Sequence, residues 1–360
     1  MISLFKPSIP YLSTNKNFLK KIYKNEIYSN FGPVYNEFKE NLSKHFNVPF
    51  NNIELFSSGT GALICALNAL KKPKKKYCIL PSWTFVATAQ AVVESKLTPY
   101  FVDVSYNDMQ MNDKILQQIP KNILKQSSLV LAVSPYGMPI NFKNLNKFLK
   151  NYKLDLLVDG AAGFDSAFAK NLNIIISMHA TKCFGIGEGG MFYSPNRKIV
   201  KKARAHSNFG FLNERKSELF GVNYKLNEFN SAIGNISLKK WKSIRSKYFK
   251  IAKYYKKNLK SKKISFLQNW GDFWISSTLI IKSKNNLIKN ELTKKFDKQN
   301  IQWRDWWGAG CHREPLFLNH CKKKSFKNTD KLAKTTIGVP FHIHLKKSEI
   351  KKICYIINSI

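Results

Sequence analysis

The chain carries, at residues 177–190, the stretch Ser177-Met178-His179-Ala180-Thr181-Lys182-Cys183-Phe184-Gly185-Ile186-Gly187-Glu188-Gly189-Gly190. The preceding residues, 173–176, are apolar and rich in β-branched side chains, which predicts a buried strand, and the glycines can continue neither a helix nor a strand. Lys182 is therefore expected just beyond a strand end, where an α/β protein exposes side chains to a ligand. Because the chain has 60 lysine and arginine residues, most of them solvated charges, a function for Lys182 depends on what the other strand ends carry.

A second predicted strand end carries a glycine-rich turn. Residues 53–56 predict a short strand, and Ser57-Ser58-Gly59-Thr60-Gly61 leads from it into a helix with an apolar face. Free backbone N–H groups at the start of such a helix can bind a phosphate. Serine and glycine also serve as ordinary cap and turn residues, so this stretch alone leaves both interpretations open.

Two more strand ends carry an aromatic ring and a carboxylate. Residues 77–80 predict a strand that leads to Phe85, and residues 154–158 predict a strand that ends at Asp159. The small residues 160–163 after Asp159 would let a flat ligand approach the backbone. Asp159 either caps this turn or pairs with a buried cation.

Short strands alternate with helices along the first half of the chain. Further strands are predicted at residues 98–104 and 129–133, and helices at residues 34–46, 86–95 and 144–152. This alternation predicts an α/β fold with a mostly parallel sheet between helices. Since ligands of such sheets bind beyond the carboxyl ends of the strands, Thr60, Phe85, Asp159 and Lys182 are expected to share one site.

Chain length and a change of pattern predict two domains. The 360 residues exceed the size at which one hydrophobic core usually stops growing. After residue 190 the pattern changes to a long helix through residues 241–259, strand-like runs at 264–267 and 273–281, and helices near 287–299 and 348–357. We place the boundary near residue 240, between a large domain (1–240) and a smaller α+β C-terminal domain (241–360). The segment before residue 28 shows no clear period and is expected to wrap over another surface.

The net charge of +38 would fit a nucleic-acid-binding protein. The lysines, however, form short clusters along the whole chain, whereas a phosphate-binding surface more often shows one basic stripe or tail. We therefore expect solvated faces and no specific nucleic acid, with a general preference for anionic partners such as a nucleotide diphosphate.

Cysteine, histidine and hydropathy patterns exclude further classes. The six cysteines show no paired spacing, which favours reduced thiols over disulfides. The histidines have no carboxylate or cysteine at a ligand spacing, so no metal site is expected, and they are expected to be exposed or hydrogen-bonded. No apolar run of about 18 residues and no signal-peptide pattern is present, which predicts a cytoplasmic protein away from the membrane.

These motifs, taken in order, resemble one enzyme family. The chain is similar to the sugar-nucleotide aminotransferases of the DegT/DnrJ/EryC1/StrS family, which bind pyridoxal 5′-phosphate (PLP) in the aspartate-aminotransferase-like fold, PLP fold type I. The resemblance covers nearly the whole chain. The matching segments are 32–33, 58–63, 81–88, 136–139, 159–165, 177–190, 208–210, 223–226 and 338–342.

The resemblance implies a role for each candidate residue. Lys182 would bind PLP covalently and act as the catalytic proton carrier, Asp159 would keep the pyridine nitrogen protonated, and Phe85 would stack on the ring. The remaining cofactor-binding residues would hold the phosphate: Gly59, Thr60, Ser177 and, from the other subunit, Asn223. Sharing a site in this way implies a homodimer.

Three positions qualify the resemblance. Ala162 stands where the family often has a glutamine that contacts the 3′ oxygen of the cofactor. Lys225 stands where many members have arginine, so a bidentate grip on an amino-donor carboxylate would become a point-charge contact. The stretch 303–312, which is aromatic and rich in glycine, either packs the small domain or stacks on a sugar or base.

The resemblance implies transfer of an amino group, with glutamate as the donor, to a nucleotide-linked keto-deoxy sugar. The first choice is C-4 amination of dTDP-4-keto-6-deoxyglucose for surface polysaccharide or glycan biosynthesis. C-3 amination and UDP- or GDP-linked substrates are the alternatives, and a basic nucleic-acid-binding protein is the distant one. Relatives with histidine in place of the lysine catalyse dehydration, so Lys182 favours transamination.

Overall fold

The computed structural model describes residues 1–11, 16–321 and 326–360. The strands are β1 (Ile53–Phe56), β2 (Tyr77–Pro81), β3 (Thr98–Val102), β4 (Ser127–Val133), β5 (Asp155–Asp159), β6 (Asn173–Ser177), β7 (Gly190–Tyr193), β8 (Ile264–Phe266), β9 (Leu279–Ser283) and β10 (Thr336–Val339). The α-helices are α1 (Lys16–Asn25), α2 (Pro33–Phe46), α3 (Gly59–Leu70), α4 (Val86–Glu94), α5 (Asp113–Leu116), α6 (Lys121–Gln126), α7 (Lys143–Tyr152), α8 (Arg197–His206), α9 (Glu228–Asn258), α10 (Asn286–Lys298), α11 (Lys327–Thr335) and α12 (Lys347–Asn358).

The larger sheet has seven strands in the order β1-β7-β6-β5-β4-β2-β3. Neighbouring strands from β3 to β6 pair in parallel, whereas β7 pairs antiparallel with both β6 and β1. Six strands therefore run in one direction, and their carboxyl ends meet at one edge of the sheet. The predicted α/β architecture with a mostly parallel sheet is confirmed.

This sheet separates two hydrophobic cores. In β4, Val130 and Ala132 belong to one buried cluster, while Leu129 and Leu131 belong to the other. Successive side chains of a strand point to opposite faces, so an uninterrupted apolar strand must be covered on both sides. The apolar runs of the sequence are explained by this burial.

The C-terminal part of the chain contains the smaller, antiparallel sheet, β10-β9-β8. The two sheets are joined in sequence by α9, a helix of 31 residues whose first turn is capped by Asn227, which accepts a hydrogen bond from the amide of Asn230 at 2.8 Å. Residue 240 lies inside α9. The division into domains 1–240 and 241–360 stays a prediction, with its boundary within a continuous helix.

Two sequence-based expectations are wrong in detail. The N-terminal segment, for which no period was expected, contains α1, whose buried residues Phe18 and Ile22 pack with Ala232 and Ile236 of α9, so it does lie against another surface. The helix has only ten residues, and its apolar positions, 18, 19, 22 and 23, cover a single repeat of the helical period. Residues 273–281 are a strand only from Leu279, because Phe273 lies exposed in a turn and Trp274 and Ile275 are buried outside the sheet. An apolar run without alternation does not distinguish these cases.

The described residues were compared with the expectations on membrane spans, metal sites and disulfides. None of their helices combines the length and apolarity needed to cross a bilayer. They contain no cluster of three or more metal-type side chains. The thiols of Cys65, Cys78, Cys183, Cys311 and Cys354 are buried and form no disulfide.

Candidate active site

A cavity of about 730 Å³ lies at the carboxyl edge of the large sheet. Six of the seven residues proposed from the sequence line it: Gly59, Thr60, Phe85, Asp159, Ser177 and Lys182. A larger cavity of about 900 Å³ runs beside β3 and contains none of these side chains. The smaller cavity is the candidate active site, because the chemically competent groups converge there.

Asp159 ends β5 at the inner wall of this cavity and is only 6% exposed. Its Oδ2 accepts a hydrogen bond from the Thr88 hydroxyl at 2.7 Å, and its Oδ1 accepts one from the Ala161 amide at 3.1 Å. The carboxylate thus caps the turn and also faces the cavity, while its pairing with a buried cation stays a prediction. Burial raises the pKa of Asp159, while these hydrogen bonds and the nearby Lys182 ammonium oppose that rise.

Lys182 lies in the loop between β6 and β7, and backbone hydrogen bonds close this loop on itself. The Met178 amide donates to Gly189 O at 2.8 Å, and the Lys182 amide donates to His179 O at 2.9 Å. Burial lowers the pKa of Lys182, and Asp159 partly counteracts this effect. The site therefore favours the neutral amine that nucleophilic attack on a carbonyl requires.

The first turn of α3 forms the anion-binding end of the cavity. The Ser58 hydroxyl caps the helix by accepting from the Gly61 amide at 3.0 Å. A Cβ atom at Gly59 would lie 2.8 Å from Ser177 Cβ, so only glycine allows the helix end to come this close to β6. Helix N–H groups without an intrahelical partner, together with the hydroxyls of Thr60 and Ser177, suit a phosphate.

Aromatic side chains form a further part of the cavity wall. Phe85, at the N-cap of α4, is 55% exposed although it is a large apolar ring. Trp307 stacks on Tyr136, with ring centroids 4.0 Å apart and planes at 15°. Trp306 and Arg304 also line the cavity. The stretch 303–312 therefore both packs against the large sheet and faces the ligand space.

Asn223 does not line this cavity. It is exposed, and its Oδ1 accepts from the Lys225 amide at 3.4 Å. The Lys225 ammonium donates to Asn208 Oδ1 at 3.1 Å and lies 4.7 Å from the centre of the Phe209 ring. Within one chain, neither Asn223 nor Lys225 contributes to the cavity that holds Lys182.

The wall residues that were not proposed as site residues include Phe5, Thr88, Tyr136 and Arg304. Thr88 could have been found, because it lies in the first turn of the helix that begins directly after Phe85. Phe5 has no local signal, and Arg304 lies in the stretch 303–312, which was considered for its aromatic and glycine residues.

The expectation that the histidines are exposed or hydrogen-bonded is wrong for His312. This residue is 1% exposed, and its ring nitrogens have no hydrogen-bond partner among the described residues. Its ring packs edge-on against Phe326. Burial, together with the neighbouring Arg313 guanidinium, lowers the pKa of His312.

The residues present fit PLP. The cavity offers an amine for the aldehyde, a buried carboxylate for the ring nitrogen, an exposed aromatic ring for stacking and a helix start for the phosphate. When bound, PLP supplies an electron sink for a carbanion next to nitrogen. This arrangement, at the carboxyl edge of a mostly parallel sheet, defines an aminotransferase of PLP fold type I.

Comparison with known proteins gives the family. The model of the DegT/DnrJ/EryC1/StrS aminotransferase family matches residues 13–358. The chain belongs to this family, and the enzyme is a PLP-dependent aminotransferase.

Similar proteins span the whole chain. A dTDP-4-amino-4,6-dideoxy-D-glucose transaminase of Escherichia coli is 31% identical, with 98% of this chain and 96% of that protein covered. The protein of the same name from Shigella dysenteriae is 26% identical, with 100% and 98% covered. A crystal structure of a putative PLP-dependent aminotransferase from Bacillus cereus ATCC 10987 superposes with a TM-score of 0.89 at 27% identity, covering 99% of both chains.

Proposed function

We propose that this enzyme transfers an amino group from glutamate to a nucleotide-linked keto-deoxy sugar in surface polysaccharide or glycan biosynthesis. The first choice of acceptor is dTDP-4-keto-6-deoxyglucose, aminated at C-4. The observation that carries the proposal is the convergence of Lys182 and Asp159 in one cavity of about 730 Å³. Two similar proteins are dTDP-4-amino-4,6-dideoxy-D-glucose transaminases, which favours this substrate class.

Lys182 and Asp159 are proposed to carry the chemistry. The Lys182 amine would bind the cofactor covalently. Its Nζ would then carry a proton from the C4′ carbon of the cofactor to the sugar carbon that becomes aminated, since this carbon has no hydrogen as a ketone. A lowered pKa keeps a fraction of this amine neutral and able to accept that proton. Asp159 keeps the ring nitrogen of the cofactor protonated through a charge-assisted hydrogen bond.

The other proposed residues position the cofactor. Gly59 and Thr60 amides and the Ser177 hydroxyl bind its phosphate, and Phe85 stacks on its ring. Asn223 is proposed to reach the phosphate site of a second copy of the chain, since it is exposed and lies outside the cavity of its own chain. The working enzyme would then be a homodimer with shared active sites.

A panel of keto-sugar nucleotides tests this function. Purified, PLP-loaded enzyme is incubated with glutamate and each of the dTDP-, UDP- and GDP-linked sugars, with the keto group at C-3 or C-4, and the amino-sugar product is identified by mass spectrometry and NMR. We expect C-4 amination of the dTDP-linked sugar. Product with another carrier or at C-3 would support an alternative acceptor, and no product across the panel would contradict the proposal.

Two lysine variants provide the control for the panel. Lys182→Ala should abolish both product formation and the absorbance band of the lysine-bound cofactor. Lys198→Ala changes an exposed lysine of α8 outside the cavity and should leave both unchanged. Equal activity of Lys182→Ala and wild type would exclude the assigned catalytic role.

The shared site has its own test. Asn223→Ala removes one charge-assisted hydrogen bond, so PLP affinity should fall about 10- to 100-fold. When Asn223→Ala is mixed with Lys182→Ala, heterodimers would contain one site with both residues intact and should recover activity. If Asn223→Ala is inactive and the mixture stays inactive after subunit exchange is verified, the opposite-subunit assignment is wrong.

A further inference from the structure

Arg304 places a guanidinium group at the cavity wall without an ionic partner. It lines the same cavity as Lys182 and Asp159, and it is exposed. Among the described residues, no carboxylate lies within ion-pair distance of Arg304 and none of its side-chain nitrogens makes a hydrogen bond. The neighbouring carboxylate of Asp305 pairs with Lys289 at 2.8 Å instead.

The position of Arg304 is fixed from both its backbone and its side chain. Its amide donates to Gly338 O at 3.1 Å and its carbonyl accepts from the Gly338 amide at 2.9 Å, which ties it to β10. The guanidinium lies 5.1 Å from the centre of the Trp306 ring and 5.8 Å from that of Phe5. Contact of a guanidinium with aromatic rings leaves its N–H groups available for an anion.

The other cationic groups near the site are already engaged. The Lys182 amine is assigned to the cofactor, and Lys225 donates to Asn208 outside the cavity. His179 lies on the wall, with its Nε2 3.4 Å from Glu188 Oε1. Of the described residues that line the cavity, Arg304 is the one arginine, and it has the fork of donors that matches an oxyanion.

We propose that Arg304 binds an oxyanion of the substrates, either a carboxylate of the amino donor or a phosphate of the nucleotide carrier. This inference rests on the proposed function, because that function brings both anions to this cavity. Arg304 would also make the bidentate contact that Lys225 cannot make. The aromatic rings beside the guanidinium exclude water on one side, which strengthens the contact once the ligand covers the other.

The test is equilibrium binding of unreactive ligands to PLP-loaded protein by calorimetry. Glutarate represents the donor carboxylates, and dTDP, UDP and GDP represent the carriers. Arg304→Gln should weaken at least one of these two classes about 10- to 100-fold, as expected for loss of charge-assisted hydrogen bonds. Arg304→Lys keeps the charge but not the fork, so it should lie between wild type and Arg304→Gln.

Controls separate this inference from the function on which it rests. Arg197→Gln removes an exposed arginine of α8 and should change neither dissociation constant. Weaker glutarate binding alone assigns Arg304 to the donor, and weaker nucleotide binding alone assigns it to the carrier. If wild type binds both classes and Arg304→Gln binds them equally well, the inference is wrong. If PLP-loaded wild type binds neither class, the proposed function itself fails.

Discussion

Thr88→Val is the sharpest test of how the buried carboxylate is held. The Thr88 hydroxyl donates to Asp159 Oδ2 at 2.7 Å, and its oxygen lies 2.7 Å from the Thr84 hydroxyl. Valine has nearly the shape of threonine, so the substitution removes the hydrogen bond without leaving a cavity. A hydrogen bond to a charged group contributes about 1.5 to 3 kcal/mol, and the apoprotein should lose about that much stability at neutral pH.

The pH dependence of this loss follows from the pKa of Asp159. Burial raises that pKa above its ordinary value of 3.8 in the folded state, and the Thr88 hydrogen bond acts in the opposite direction. A group whose pKa is raised on folding binds more protons in the folded state, so the cost of its buried charge is relieved as pH falls through the folded pKa. Thr88→Val raises the pKa further. Its stability deficit relative to wild type should therefore be largest at neutral pH and shrink in acid.

Urea unfolding of the apoprotein across a pH series measures both effects, and PLP titration gives the functional consequence. Thr88→Ser keeps the hydroxyl and is the matched control, which should retain most of the stability and PLP affinity. Thr88→Val should bind PLP more weakly, because the Asp159 carboxylate loses the hydrogen bond that holds it in place at the cavity wall. A deficit below about 0.5 kcal/mol, or one that is the same at every pH, would refute this account of Asp159, since surface-like changes fall in that range.

Three further predictions concern packing, titration and charge. Gly59→Ala should lower the free energy of unfolding by about 1 to 3 kcal/mol, because the added methyl group overpacks against Ser177. Urea unfolding of the double-mutant cycle should show a much smaller loss in a Ser177→Gly background. Equal losses in both backgrounds would contradict the close contact. The pKa of the buried His312 imidazole is lowered in the folded state, so the unfolded chain takes up a proton more readily near pH 6.5 and stability falls in acid. His312→Leu should therefore reduce the loss of stability between pH 8 and pH 5. An unchanged pH profile would show that His312 does not cause this loss. Duplex and single-stranded DNA should bind weakly at low salt and dissociate by about 0.15 M, since the lysines are dispersed; tight, salt-resistant binding would revive a nucleic-acid function.

The sequence predicted the centre of the site because parallel strands bring distant residues together by a simple rule. Asp159 pairs in register with Val133 of one neighbouring strand and with Ile175 of the other, so Ser177 lies only two residues further along β6. A polar residue that follows an apolar run can therefore be placed at the common edge of the sheet from the sequence alone. Asp159 and Lys182 could be placed in this way without knowing any side-chain contact.

The outer wall could be predicted only in part. Phe85 and the stretch 303–312 were singled out from the sequence, but no local pattern shows which other side chains meet them. Phe5 and Arg304 meet across almost the whole chain, through an N-terminal segment and a loop whose path depends on tertiary packing. Tyr136 lines the cavity from a turn in which its own φ is +54°, and the sequence does not predict this conformation for a tyrosine. Asn223 was placed by resemblance alone, and a single chain leaves it on the surface.

The length of helix α9 sets the distance between the part of the chain that carries Lys182 and the part that carries Arg304. This helix packs on α2 and on α12, and the chain that follows it contributes Arg304 and Trp307 to the cavity that Lys182 also lines. Inserting one residue in its middle would turn everything beyond by about 100° and advance it by about 1.5 Å. Changes in chain length should therefore be tolerated in surface loops but not between residues 228 and 258. The number of residues in this helix is as much a part of the active site as the identity of its side chains.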